Sequence, residues 1–320
     1  MLSLKNKRVL ITGGAGFIGS HLVDRLIAEK PVRIVVVDNF FLGTEKNLVA
    51  AKQDYPELAI NRLDASDLPS MQQVVDREGI EIVFNLAVIP LPTSLEYPSW
   101  TISTNVAIAT VFCELARQKR IRTLVHCSSS EAYGSALYSS MDESHPLVPT
   151  TPYAASKAAA DQIVLSYHQT FGIDAVIVRP FNNFGPRQNP GSYAGILPII
   201  LNKISKGEPI EIFGDGEQTR DYLYVKDTAN AMVKVYESEP ARGQVINVAT
   251  GHEITINALV ARIIGVLGLK GYSVIHKAAR PGDVRRHRGD VQLLKRLTGY
   301  EPKAISDYDL AETVSWYQKG

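Results

Sequence analysis

The chain has 320 residues, 45% of them hydrophobic and 21% charged, a composition that fits a folded globular protein of about two domains and argues against disorder. Its 34 Lys and Arg against 33 Asp and Glu leave a formal net charge of +1, so no global field is available to hold nucleic acid or an anionic membrane, and any anion site must be local. The two cysteines, Cys113 and Cys127, make neither a disulfide framework nor a metal-ligand spacing. A cytoplasmic, metal-free protein is therefore expected. Apolar runs such as 32–37 and 83–91 fall far short of the roughly 20 residues that cross a bilayer. The short polar segment 1–7 runs into a strand-like stretch rather than a secretory h-region.

Short apolar, β-branched runs at 8–12, 32–38, 58–63, 82–86, 123–127 and 175–178 predict strands buried on both faces, as in a parallel sheet. Helices are expected between them near 17–28, 68–77, 101–118 and 152–171. This repetition predicts an α/β fold, a Rossmann-like doubly wound parallel sheet. After Arg179 the punctuation by Pro and Gly thickens, and a smaller C-terminal α/β lobe is expected. The division is residues 1–180 for the first domain and 181–320 for the second, with some later segments returning to the first. The cleft between them is the default ligand site.

Thr12-Gly13-Gly14-Ala15-Gly16-Phe17-Ile18-Gly19 lies between the first expected strand and helix. Glycines at 13, 16 and 19 suit a tight turn, close backbone approach to a pyrophosphate, and a helix N-terminus aimed at the phosphates. A purely structural turn is the alternative. Asp38 ends the second strand, 19 residues beyond Gly19. A carboxylate there accepts hydrogen bonds from the adenosine ribose and repels a 2′-phosphate, which favours NAD over NADP. Its alternative is a turn or cap residue, given the Asp38-Asn39 pair. Asp64 is a second candidate, for the adenine edge or for a turn.

Tyr153 and Lys157 stand at i and i+4 on one face of an expected helix. A tyrosine acting as a base near neutrality needs its pKa brought down from about 10, a cost of ~4 kcal/mol. A neighbouring ammonium and an oxidised nicotinamide both push that way. By itself the pair also describes a surface helix. Ser128-Ser129-Ser130 follows the fifth strand, at the sheet edge where ligands of such folds bind, and could equally form a turn or cap. Arg280 to Arg288 is the strongest basic cluster. It suits a diphosphate better than nucleic acid in so neutral a chain. Cys113 reads as helix core, and His126 and Cys127 read as strand packing.

These residues, in order over nearly the whole chain, resemble the extended short-chain dehydrogenase/reductases of the nucleotide-sugar epimerase/dehydratase family. The resemblance is carried by the glycine turn, Asp38, Asp64 to Asp67, Asn85-Leu86-Ala87, Ser128 to Gly134, Pro152 to Lys157, Arg179 to Asn182, Gly185-Pro186-Arg187 and Gly214 to Tyr222. It implies an NAD site made by Gly13, Gly16, Phe17, Ile18 and Gly19, by Asp38, Asn39, Asp64 and Ala65, and by Leu86, Ala87 and Asn105. Tyr153 and Lys157 complete it. Tyr153 would be the base for a sugar 4-hydroxyl, Lys157 would hold the nicotinamide ribose, and Ser129, four before Tyr133, would be the family's catalytic Ser/Thr, with Ser130 and Glu131 beside it as further catalytic candidates. Asn182, Arg187, Arg220, Arg280 and Asp283 would bind a nucleotide-diphosphate sugar. A homodimer through sheet-flanking helices is also implied. Two departures stand out: Asn85 where the family often has His, and Ser130 where the thymidine-diphosphate-glucose dehydratases have an acidic Asp.

Oxidation at C4 opens three outcomes: loss of water, loss of CO2 from a uronate, or inversion of C4. The pair Ser130-Glu131 resembles that of GDP-mannose-type 4,6-dehydratases, in which Glu serves as both base and acid, and it also occurs in uronate decarboxylases. Simple 4-epimerases need no such carboxylate. The segments after it resemble bacterial 4,6-dehydratases, so dehydration is expected, with 4-epimerisation and decarboxylation as alternatives. Glu131 could instead cap a turn or pair with an arginine. An inactive NAD-binding sensor is the non-enzymatic alternative, disfavoured because a fold alone does not require Tyr, Lys and Ser together.

Overall fold

A computed structural model describes residues 2–191, 195–279 and 285–319. The first part of the chain runs β1 Arg8–Thr12, α1 Phe17–Ile27, β2 Arg33–Asp38, α2 Val49–Asp54, β3 Ala59–Arg62, α3 Leu68–Glu78 and β4 Ile82–Asn85. It continues through α4 Leu91–Glu96, α5 Pro98–Arg117, β5 Thr123–Cys127, α6 Pro152–Phe171 and β6 Asp174–Pro180. Local chemistry sets several of these bounds. On α6, Thr151 Oγ1 accepts from Ala154 N at 3.1 Å, Pro152 occupies the first turn, and Gly172 ends the helix at φ +65°. Asp67 caps α3 in the same way, and Gly79 closes it at φ +62°.

Among the described residues the main sheet has seven strands in the order β11-β6-β5-β4-β1-β2-β3, where β11 is Val245–Val248, and every pairing is parallel. This is the doubly wound sheet expected from the sequence. The chain winds outward from β1 through β2 and β3, then returns to the other side of β1 at β4. A crevice therefore opens at the carboxyl ends of β1 and β4, the switch point where such folds bind ligands.

Beyond β6 come β7 Asn182–Phe184, α7 Ile196–Ser205, β8 Ile210–Phe213, β9 Thr219–Arg220, β10 Tyr222–Tyr224, α8 Val225–Glu237, then β11. They are followed by β12 Ile254–Thr255, α9 Ile256–Val266, β13 Val274–Lys277, α10 Gln292–Thr298 and α11 Asp307–Lys319. The pairs β7–β10, β8–β13 and β9–β12 and the helices α7, α9 and α11 build a separate small core around Phe184, Leu197, Ile212, Tyr222 and Leu259. By contrast, Met232 and Val233 of α8 and Ile246 and Val248 of β11 share the main core with Leu22 and Leu26 of α1. Burial of each such Leu or Met side chain contributes roughly 1.5–3 kcal/mol. Among the described residues no helix is long and apolar enough to cross a membrane.

Candidate active site

The glycine turn closes the carboxyl end of β1. Gly13 sits at φ +66°, and a Cβ there would come within 3.0 Å of Ala87 N and Leu86 O; one at Gly19 would overlap the Gly13 carbonyl. The backbones of the β1 and β4 ends and the start of α1 thus approach as only glycine permits. Thr12 Oγ1 ties them further, accepting from Leu86 N and Ala87 N, each at 3.0 Å. The α1 N-terminus faces this turn, supplying the uncommitted N–H groups a pyrophosphate needs.

A cavity of about 440 Å³ lies over the turn. It is lined by Gly13, Gly16, Phe17, Ile18, Gly19, Asp38, Asn39, Asp64, Ala65, Leu86 and Ala87, and at its other end by Ser129, Glu131, Tyr153 and Lys157. Asp38 is held at the floor: its carboxylate accepts from Ala15 N at 2.9 Å and Phe40 N at 2.8 Å, and burial pushes its pKa up. Asp38 therefore holds a turn and also lines the cavity. The same holds for Asp64, whose Oδ1 accepts from Ser66 N at 2.8 Å. Asn105 is not among the lining residues. Its amide accepts from Ile89 N at 2.7 Å and donates to Ser156 Oγ at 2.9 Å, bracing the wall from behind. The glycine turn and the carboxylate that ends β2, both at the cavity wall, fit NAD.

At the far end, Tyr153 stands in the first turn of α6, and burial pushes its phenol up, opposed by a hydrogen bond with Ser129. The lowering expected from Lys157 does not prevail over burial; the Lys157 ammonium donates to the Cys127 carbonyl at 2.6 Å. Ser129 caps the short turn Ser130–Tyr133, its Oγ accepting from Glu131 N at 3.2 Å. Ser130 is buried and its backbone hydrogen-bonds the His287 ring; it is absent from the lining of both cavities described here. The Glu131 carboxyl is pushed up by burial, against the opposing charge of Arg220.

Glu131 also lines a second cavity of about 530 Å³, together with Asn182, Phe213, Arg220 and Tyr222 of the small lobe. Asn182 Nδ2 lies 3.2 Å from His287 Nδ1. Arg187, expected on the substrate side, lines the first cavity instead and pairs with Asp24 at 2.8 Å. Arg280 and Asp283 lie outside the described residues. The rest of that basic run is partly spent on surface ion pairs, Arg285 with Asp215 and Arg286 with Glu253.

Sequence reasoning overlooked Phe41, Leu42, Asp161, Arg179 and His287. The first two line the cofactor cavity, and Phe41 meets Trp100 edge-on at 5.6 Å. Asp161, four residues after Lys157 and so on the same helix face, was open to the i,i+4 argument. Arg179 and His287 reach their places only through the tertiary fold.

The geometry brings Tyr153, Lys157 and Ser129 to one end of a cavity whose other end lies over a glycine turn at the switch point of a doubly wound sheet. The model of the NAD-dependent epimerase/dehydratase family matches residues 9–249, and the chain belongs to that family as an NAD-dependent enzyme. It is 33% identical over 318 residues to a dTDP-glucose 4,6-dehydratase of Actinoplanes sp., covering 97% of this chain and 98% of the relative. The structure of the UDP-glucose 4-epimerase of Thermotoga maritima with UDP-glucose superposes at a TM-score of 0.90 and 30% identity, covering 98% of this chain and 99% of that one. The dTDP-glucose 4,6-dehydratase DesIV of Streptomyces venezuelae, crystallised with NAD, gives 0.89 and 31%, with 98% and 97% covered.

Proposed function

We propose that the enzyme removes water from a nucleotide-diphosphate hexose, giving a 4-keto-6-deoxy sugar. The observation that carries this reading is the position of Glu131, a half-buried carboxyl with a raised pKa where the two cavities meet. Bound NAD would supply the hydride acceptor for C4 and the hydride donor for C6. Tyr153 takes the proton of the 4-hydroxyl, with Ser129 hydrogen-bonded to it. A 4-ketone acidifies C5–H. Glu131 removes that proton and delivers it to the departing C6 hydroxyl, for which a raised carboxyl pKa is suited; once hydride has reached C6, the carboxyl relays a solvent proton back to C5, and Tyr153 releases the 4-hydroxyl proton to solvent. Ser130, expected in the catalytic set, is buried and lines neither cavity, so in this reading one carboxyl serves as both base and acid. Asn182 and Arg220 bind the diphosphate within the small lobe, taken to begin near residue 181.

The deciding experiment is mass spectrometry of products from UDP-, GDP- and dTDP-hexoses and UDP-glucuronate. Loss of 18 mass units from a hexose supports dehydration. One observation favours a second reading: a serine at 130 removes the separate acid of the thymidine-diphosphate-glucose dehydratases, and a 4-epimerase needs none. An isobaric product inverted at C4 would establish that reading, and loss of CO2 from the uronate would establish decarboxylation. The resemblance also supports a cytoplasmic homodimer, which a sedimentation mass of two chains would test.

A further inference from the structure

Behind the Tyr153–Lys157 face, the next turn of α6 carries Asp161, which is completely buried. Its Oδ2 accepts from Ser128 Oγ at 2.7 Å and from Arg179 Nε and Nη2 at 2.9 and 2.7 Å. Its Oδ1 lies 4.0 Å from His126 Nε2, and both atoms are buried without a hydrogen-bond partner. The proton on that histidine can be traced from the other end of the chain of contacts. Thr12 Oγ1 already accepts from two backbone amides, so its own proton goes to Asn85 Oδ1 at 2.7 Å. Asn85 Nδ2 therefore faces His126 Nδ1, at 3.1 Å, as a donor. The neutral ring then carries its proton on Nε2, directed at the free oxygen of Asp161.

The charges around Lys157 are few. From β5 it faces His126 and Cys127, both held neutral: burial draws the imidazole well below its ordinary range and pushes the thiol up to about 11. From its own helix it faces Tyr153 and Asp161, and across the turn stands Glu131, while Arg179 on β6 adds a second buried cation over the Tyr133 ring. Arg179 is ion-paired with Asp161, and Lys157, bonded to the Cys127 carbonyl, stands one helical turn before that carboxylate on the same face of α6. A buried ammonium with no carboxylate near it gives up its proton rather than bear the desolvation cost.

We propose that Asp161 is a positioning residue of this NAD-dependent enzyme: it is the shared counter-ion of Arg179 and Lys157 and, through Ser128, the anchor of the turn that presents Ser129. Asp161 touches neither substrate nor cofactor. It acts through Lys157 and Ser129, so the inference rests on the Tyr-Lys-Ser centre and is indifferent to whether the product is dehydrated or epimerised.

The test reads the groups themselves. In NAD-loaded enzyme labelled with lysine 13Cε, the Lys157 resonance is the one missing from Lys157→Met. In Asp161→Asn it should titrate at least about one pH unit lower than in the wild type, and Asp161→Glu should restore it. Coupling is reciprocal. Hence in enzyme labelled with aspartate 13Cγ, Lys157→Met should raise the Asp161 titration by a similar amount. The second measurement keeps Asp161 in place and stands even where Asp161→Asn fails to fold. A Lys157 titration unmoved in folded Asp161→Asn, or an Asp161 titration unmoved in Lys157→Met, would overturn the assignment. Neither readout depends on a substrate, so failure of the dehydratase reading leaves it intact.

Discussion

Tyr153 is where the residue-scale argument is sharpest. Its phenol is pushed up by burial and held against Ser129, so it becomes a base only with the help of a positive charge beside it, and oxidised NAD supplies one. Tyr153→Phe keeps the ring and deletes the proton acceptor. Turnover should fall by about 10²–10⁴-fold while NAD affinity changes little, as read by steady-state rates beside calorimetric titration; near wild-type kcat would remove Tyr153 from the chemistry. Glu131→Gln should separate the steps: bound NAD is still reduced on adding substrate, giving absorbance at 340 nm, but the dehydrated product does not form. Asp38 is the residue we propose to set cofactor choice. Both of its oxygens are fixed by backbone amides, so the carboxylate cannot swing away from a 2′-phosphate. Apo-protein should bind NADP at least about tenfold more weakly than NAD, and equal affinities would contradict the role given to Asp38.

Among the elements, the β1–turn–α1 unit combines structural and cofactor roles. A methyl at Gly19 would overlap the Gly13 carbonyl, and the backbone cannot yield without moving the phosphate cradle. Gly19→Ala should lower stability by about 1–3 kcal/mol and weaken NAD binding together, measured by denaturant melts and titration; a variant that keeps NAD affinity would mean the cradle tolerates a side chain there. This unit was legible in the sequence because its chemistry is local: strand, glycines and helix are contiguous, and Tyr153 and Lys157 share one helix. The expected bounds of β1, β5 and α6 coincide with the structure for the same reason, each being closed by a Gly, Pro or cap residue nearby. What was not legible depends on pairings distant in sequence. His126 read correctly as strand packing, but its link to Asn85 and its approach to Asp161 need β4, β5 and α6 side by side. The expected helix at 101–118 in fact begins at Pro98, after the chain turns at Tyr97 out of α4, a break that apolar periodicity does not mark.

Buried histidines, His126 among them, weaken the whole molecule in acid. His21 on α1 bonds the Pro186 carbonyl at 3.0 Å, and His287 joins Ser130 to Asn182; burial lowers each to about 4. Their folded pKa values lie below the ordinary 6.5, so the unfolded chain binds more protons. Stability from these groups is complete above pH 6.5 and is lost as pH falls towards 4, by roughly 3 kcal/mol for each at pH 4. Urea melts from pH 8 to pH 4 should show this loss, reduced in a His21→Gln variant; an unchanged slope in that variant would remove His21 from the effect. The parallel strand β11 has a different consequence, one for synthesis on the ribosome. Among the described residues the outer edge of β6 pairs with residues 243–248, and α8, which covers α1, precedes them by a few residues. A nascent chain that has exposed every strand up to β6 therefore still carries a bare sheet edge and an uncovered apolar helix while roughly a fifth of the protein's length is translated at 5–20 residues per second. For those few seconds the half-made enzyme is a substrate for whatever in the cell recognises unfinished chains.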